Sequence, residues 1–279
     1  MNEPSVFTGA GYFFGIHAPG KTGLKNFLPA VHHTTLSIAA GAKMLRSILP
    51  TAHIGNTFSC SYIEPYSDKP RDVNAAKRAD ALINRLFIEP ILGLGYPVAD
   101  LPVLKGLEKY FQLGDEDNLH FDFDFIGVQN YTREIVKYSF FTPYIQATLV
   151  KAEKRNVPLT TMRWEVYAPS IYYMLKKFNA YPQIKKIYLT ESGAAFPDTV
   201  VNGKVDDPKR VEYLQEYLNQ VLKAKNEGYK VDGYFIWTLT DNFEWAEGYH
   251  PRFGLIYVDF KTQQRIIKSS GQWYADFLG

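Results

Sequence analysis

Glu191 ends an apolar stretch, Lys186 to Thr190, and runs directly into Ser192 and Gly193. A strand that hands a carboxylate to a glycine-bearing turn puts an ionisable group at the carboxyl end of a parallel sheet, where α/β architectures keep their chemistry. Glu3 stands between Asn2 and Pro4, and the proline ring drives the residue before it out of the helical region, toward an extended conformation. Two such carboxylates facing each other across a sugar, roughly 5 Å apart, would serve as nucleophile and as acid and base in a cleavage that retains configuration. Each taken alone reads equally as a surface carboxylate, the commoner fate of a glutamate. A third region, Gly233 to Phe260, opens with the apolar run Tyr234 to Trp237 and moves into a loop carrying Asp241, Asn242, Glu244, Trp245 and Glu247. Indole rings can stack on the apolar face of a sugar while carboxylates take its hydroxyls. A core strand followed by a solvated loop describes the same residues equally well.

Other chemistries lack their residues. There is no phosphate-binding glycine loop with its lysine, no HExxH helix and no GxSxG elbow. Gly9, Gly11 and Gly15 are spaced GxGxxxG, with no helix expected after them, which argues against a dinucleotide turn. The six histidines are scattered. The adjacent His32 and His33 fall in a helical run and point about 100° apart, so structural roles are expected. Cys60 is the only cysteine, which excludes an intrachain disulfide and a thiolate metal site. No metal and no cofactor are therefore expected. Thirty-one basic against 29 acidic residues leave a net charge of +2, which gives no electrostatic case for nucleic acid or an anionic membrane. No stretch reaches eighteen apolar residues, and the opening residues have neither the basic region nor the apolar core of a secretory leader. With the lone cysteine, a cytoplasmic setting is expected. An aromatic content of 15% suits a carbohydrate binder.

At 279 residues and 46% hydrophobic content, the chain can bury its core as one domain, 1–279. Apolar spacing predicts helices over Phe27 to Leu49, from Asp72 or Asn74 to Ile88, over Pro169 to Phe178, from Pro208 to Glu227, and over Ser269 to Phe277, with Pro50, Pro90 and Gly228 as stops. Strands are expected at Ala52 to Phe58, Phe121 to Asn130 and Lys186 to Thr190, with a fourth ending near Thr240. Residues Gly9 to Gly20 and Glu134 to Leu159 read as loop, Ile91 to Asn118 as a long connection with a short helix near Val103 to Phe111, and Arg252 to Phe260 as a hairpin. Strand, loop and helix alternate, which argues for parallel βα units.

Four motifs in order, Asn2-Glu3-Pro4, Met162 to Tyr167, the TESGAAF run from Thr190 to Phe196, and Gly233 to Phe260, closely resemble family 1 glycoside hydrolases, the β-glucosidase family. The resemblance implies a (β/α)8 TIM-barrel lineage and hydrolysis of β-glucosides through a covalent glycosyl-enzyme. It implies Glu3 as general acid and base, Glu191 as nucleophile, Asn2 at the sugar 2-hydroxyl and Tyr131 as hydrogen-bond donor to the nucleophile. It further implies Trp237 as the platform under the sugar, Glu244 and Trp245 as readers of its outer hydroxyls, and Trp164 as a wall on the aglycone side. The carboxylate of Glu244 would repel a 6-phosphate, so plain β-glucosides or short β-linked oligosaccharides are the expected substrates.

Three departures accompany the resemblance. Ser192 stands where the family has Asn, and Gln129-Asn130-Tyr131 where it has Asn-Tyr-Tyr. The Asn-Glu-Pro motif, which ends the fourth barrel strand in the family, here opens the chain. The expectation is a partial barrel, with strands 5 to 8 and the end of strand 4, completed by an N-terminal half or by a second copy in a homo-oligomer. The alternative is a catalytically inactive, sugar-binding remnant.

Overall fold

The computed structural model describes residues 1–279. Its centre is a parallel sheet of β1 (Gly55–Ser59), β2 (Phe125–Gln129), β3 (Ile187–Glu191) and β4 (Val231–Tyr234), hydrogen-bonded in that order. Each strand is followed by a helical segment before the next. The long helix α1 (Leu24–Ile48) precedes β1, α2 (Pro70–Asp80) follows it, α3 (Pro169–Asn179) leads to β3, α4 (Pro208–Asn226) to β4, and α5 (Ser269–Leu278) closes the chain. Proline occupies the first turn of α2, α3 and α4, where its missing N–H costs nothing and its fixed φ favours the helix.

The two faces of the sheet differ because side chains alternate. Phe58, Ile126, Val128, Ile187 and Leu189 are buried and pack with Ile171, Leu175 and Phe178 of α3 and Tyr213, Leu214 and Tyr217 of α4. On the other face large and small residues interleave. A Cβ on Gly55 would lie 2.3 Å from the Phe125 ring, and one on Gly233 2.7 Å from Tyr188. Phe125 and Tyr188 meet edge to face at 4.9 Å, Tyr188 and Phe235 at 6.5 Å. This second face is open, with Phe235 58% exposed. The sheet itself is open too: β1 and β4 each pair with a single neighbour.

The first three strands lie where the sequence placed them; the fourth is Val231–Tyr234 instead of a run from Tyr234 ending near Thr240, and Thr240 makes only an isolated bridge to Ile256. The 3-10 segment Pro102–Tyr110 matches the short helix expected in the long connection. His32 is fully buried, bonded to Asp115 at 2.8 Å and stacked on Phe111 at 4.4 Å, a packing role.

Four further expectations are corrected. Glu3 is not extended but left-handed, with φ 43° and ψ 59°. Proline excludes the right-handed helix for the preceding residue. The Glu3 carbonyl must nevertheless accept the Val6 and Phe7 amides, both at 3.0 Å, that start the helix Pro4–Thr8. The expected loop after it begins with a π-helical turn, Gly9–Phe13. Glu134 to Leu159 contains the strands Arg133–Tyr138 and Ala147–Leu149, which join Tyr62–Pro65 in a second, outer sheet. Arg133 and Glu134 sit half-buried at the start of its middle strand, so hydrophobic alternation, the usual strand signal, is absent. The hairpin near the end pairs Ile256–Val258 with Arg265–Ile267, beyond the span read from sequence. No helix is long and apolar enough to cross a membrane.

Candidate active site

The carboxyl ends of β1, β2 and β3 meet the chain's first residues. Between Val128 and Gln129 the β2–β3 register shifts, so that Gln129 rather than Asn130 stands opposite Glu191. A bulge of this kind re-aims side chains at a strand end. The Glu191 carboxylate accepts two hydrogen bonds, from the Tyr131 hydroxyl to Oε2 and from Gln129 Nε2 to Oε1, both 2.6 Å. Burial raises its pKa, and the two donors, which favour the ionised form, oppose that rise. The Tyr131 phenol itself is pushed well above its ordinary value, first by burial and then by the Glu191 charge, so it remains a donor.

Glu3 is raised to about 7. Burial is the largest cause, the Glu191 charge the second, and the more distant Glu244 adds to both, while Ser59 acts in the opposite direction. The two carboxyl groups thus sit in different environments: two donors partly offset the rise at Glu191, while Glu3 is carried up to about 7. Asn2 lies beside them. Its Oδ1 accepts from Thr57 Oγ1 at 2.8 Å and from Gln129 Nε2 at 2.7 Å.

An aromatic wall backs Tyr131. Trp164 lies 5.3 Å from it, and Phe253 completes the triangle at 6.2 Å from Tyr131 and 6.1 Å from Trp164. The turn carrying Trp164 is pinned through the buried Glu165, which receives Arg133 at 2.8 and 2.9 Å and Arg155 at 2.7 Å. That ion set explains why a carboxylate next to the tryptophan is buried without harm.

Trp237 is anchored to the turn that follows Glu191: its amide donates to the Ser192 carbonyl at 2.9 Å. Its own carbonyl fits against Gly193, where a Cβ would come within 1.8 Å. Only glycine fits that position. Glu244 is half-buried, and its pKa is raised by burial, with Glu191 and Glu247 adding and the Trp237 side chain opposing. Its Oε2 is buried without a partner. Trp245 stands apart, 72% exposed, at the start of a short 3-10 turn.

Beneath this wall runs a buried ion network. Asp241 accepts from Lys268 Nζ at 2.8 Å, Arg252 Nη1 at 2.9 Å and the Gly254 amide at 2.9 Å. Lys268 also reaches Asp198 at 2.5 Å. Arg210 pairs with Asp198 and Asp207 and donates to the carbonyls of Ala194, just after Glu191, and Arg252. Asp241, read from sequence as part of a sugar-facing loop, is therefore a buried anchor.

Of the residues singled out by sequence, Asn2, Glu3, Tyr131, Trp164, Glu191, Trp237 and Glu244 are linked by these contacts and charges, whereas Trp245 is not. Sequence reading noted Gln129 only as a departure and missed Phe253 altogether. Gln129 and Tyr131 are two residues apart at a strand end, so they point to the same side; that spacing was the available signal. Phe253 carried none, being one phenylalanine among 19.

A model of glycosyl hydrolase family 1 matches the chain over residues 1–279. A 1,4-β-D-glucan glucohydrolase of Thermotoga neapolitana is 38% identical over 283 residues, covering 100% of this chain and 62% of its own. The structure of a family 1 β-glucosidase from Thermotoga maritima superposes with a TM-score of 0.94 at 37% identity, again over 100% of this chain and 62% of the other. A Thermotoga maritima family 1 glycoside hydrolase complexed with a cyclophellitol analogue transition-state mimic gives 0.92 at 37% identity, with the same coverages. The chain thus spans 62% of the length of these relatives.

Proposed function

The chain belongs to glycosyl hydrolase family 1, and we propose that it carries the catalytic part of an enzyme that hydrolyses β-glucosides by retaining double displacement. The observation that supports this best is the unlike pair of carboxyl groups: Glu191 receiving two donors, and Glu3 raised to about 7 in its neighbourhood. In this reading Glu191 attacks the anomeric carbon while Glu3 gives its proton to the departing oxygen. Glu3, now a carboxylate, then takes a proton from water as that water cleaves the glycosyl–Glu191 bond. Asn2 holds the 2-hydroxyl, Trp237 lies under the ring, Glu244 and Trp245 receive the outer hydroxyls, and Trp164 borders the aglycone. The unpartnered Oε2 of Glu244 supports its place in that set, since a buried acceptor calls for a donor such as a sugar hydroxyl. The negative charge of Glu244 favours unphosphorylated sugars.

In the same reading residues 1–279 are one partial (β/α)8 domain. β1 to β4 correspond to barrel strands 5 to 8, and Asn2-Glu3 to the end of strand 4. The free edges of β1 and β4 and the exposed Phe235 support completion by a further barrel half or by a second copy, because unpaired edges seek partners. The single, buried Cys60 suits a cytoplasmic setting.

The test is covalent trapping. A 2-fluoro β-glucoside should leave a glycosyl adduct on Glu191, located by peptide mass spectrometry, in the chain alone or mixed with the N-terminal half of a relative. A completed barrel that binds glucoside yet carries no adduct would refute the mechanism.

A further inference from the structure

One amide nitrogen connects the two ends of the site. Gln129 is 1% exposed, and its Nε2 donates both to Asn2 Oδ1 at 2.7 Å and to Glu191 Oε1 at 2.6 Å. A carboxamide has two N–H groups on that nitrogen, so each acceptor takes one. Turning the amide over would set its oxygen against two acceptors, which fixes the orientation. The same orientation leaves Gln129 Oε1 buried with no partner, a cost the side chain bears in order to make the bridge. Asn2 and Glu191 belong to segments that do not hydrogen-bond to each other directly. Thr57 holds the far side of Asn2 and Tyr131 the far side of Glu191, which leaves Gln129 as the shared support.

We propose that Gln129 is a positioning residue that couples Asn2 to Glu191, so that a change at either one is felt by the other through the Gln129 amide. The proposal deepens the glycosidase reading and rests on it for the roles of the two partners. The bridge itself is independent of turnover. The charged and titratable groups around Glu191 are Tyr131, which donates to it, and Glu3 and Glu244, each raised in part by its charge.

The experiment follows the Glu191 carboxyl by carbon-13 NMR in chain labelled at glutamate side chains, with Glu191→Gln assigning the signal. Gln129→Met should raise the Glu191 titration midpoint by about one unit, a tenfold change in its ionisation constant, because a charge-assisted bond is lost. Asn2→Ala should also raise it, by about half a unit, in the parent chain but not in Gln129→Met. Thr57→Val, which removes the other donor to Asn2 and leaves Gln129 in place, should leave it unmoved. An unchanged midpoint in folded Gln129→Met, or an Asn2→Ala effect of equal size in both backgrounds, overturns the coupling. Should Gln129→Met unfold, Asn2→Ala at its exposed position decides alone, and an unmoved midpoint there overturns the proposal. Hydrolysis measured on the same variants within the completed barrel tests the glycosidase reading separately: coupling without turnover there would sink that reading and leave the bridge standing.

Discussion

Glu3 should lose part, but only part, of its raised pKa when the charge on Glu191 is removed. Its carboxyl rises from 4.5 to about 7, with burial ahead of the Glu191 charge among the causes. Glu191→Gln removes the second cause and leaves the first. The midpoint of Glu3 should therefore fall by about one unit and stay above the ordinary value, since burial alone continues to disfavour the anion. At pH 6 the protonated fraction would drop from about nine-tenths to about half. Difference infrared spectroscopy, reading the protonated carboxyl band with Glu3→Gln as the blank, measures that fraction directly. A linked effect appears in stability. The folded chain holds this proton more tightly than the unfolded chain, so the group's contribution is intact below pH 4.5 and is lost as pH rises through about 7. Over that window the loss amounts to roughly 3 kcal/mol, and urea melts of Glu3→Gln should lack it. A Glu3 midpoint unmoved by Glu191→Gln would show that the two carboxyls do not sense one another. A collapse to the ordinary value would show that burial is not the main cause. Either result refutes the division of labour proposed for the pair.

Three further outcomes follow from the geometry. Tyr131→Phe removes one of two donors to Glu191 and should slow turnover of an aryl β-glucoside about ten- to a hundredfold, a charged hydrogen bond being worth about 1.5–3 kcal/mol; steady-state kinetics on the completed enzyme check it. Lys268→Met leaves the buried carboxylates of Asp198, Asp207 and Asp241 one cation short and should cost about 3–5 kcal/mol of stability, read as a lowered denaturation midpoint. Gly193→Ala drives a methyl into the Trp237 carbonyl and should displace that segment, shifting tryptophan fluorescence and destabilising the chain by about 1–3 kcal/mol.

The strands Phe125–Gln129 and Ile187–Glu191 were legible because each is a short, mostly apolar run beside turn residues, and the prolines at the helix starts were legible for the same local reason. The outer sheet was not: Arg133–Tyr138 opens on the half-buried Arg133 and Glu134, so its pairing with Tyr62–Pro65 is a tertiary fact without a periodic trace. Glu3 shows a subtler limit. Proline announced what its neighbour could not be, and the helix that follows decided what it became. In the site, resemblance supplied roles for Tyr131 and Trp164, but the Gln129 bridge depends on a bulge between Val128 and Gln129, and no residue type announces a bulge. Asp241 misled because an acidic residue beside indoles looks the same whether it faces a sugar or, as here, Lys268 and Arg252.

The ion network under the Trp237 loop also constrains how this chain can change over evolutionary time. Asp198, Asp207 and Asp241 are matched by Arg210, Lys268 and Arg252, five of the six with side chains nearly sealed from solvent. Replacing any one alone upsets the balance of three cations against three carboxylates, yet replacing such a set together with well-packed apolar side chains is often neutral or stabilising. The path between those two endpoints passes through poorly folded intermediates. The six positions should therefore drift as a block or not at all, and an engineer seeking a sturdier chain would have to exchange them in a single step.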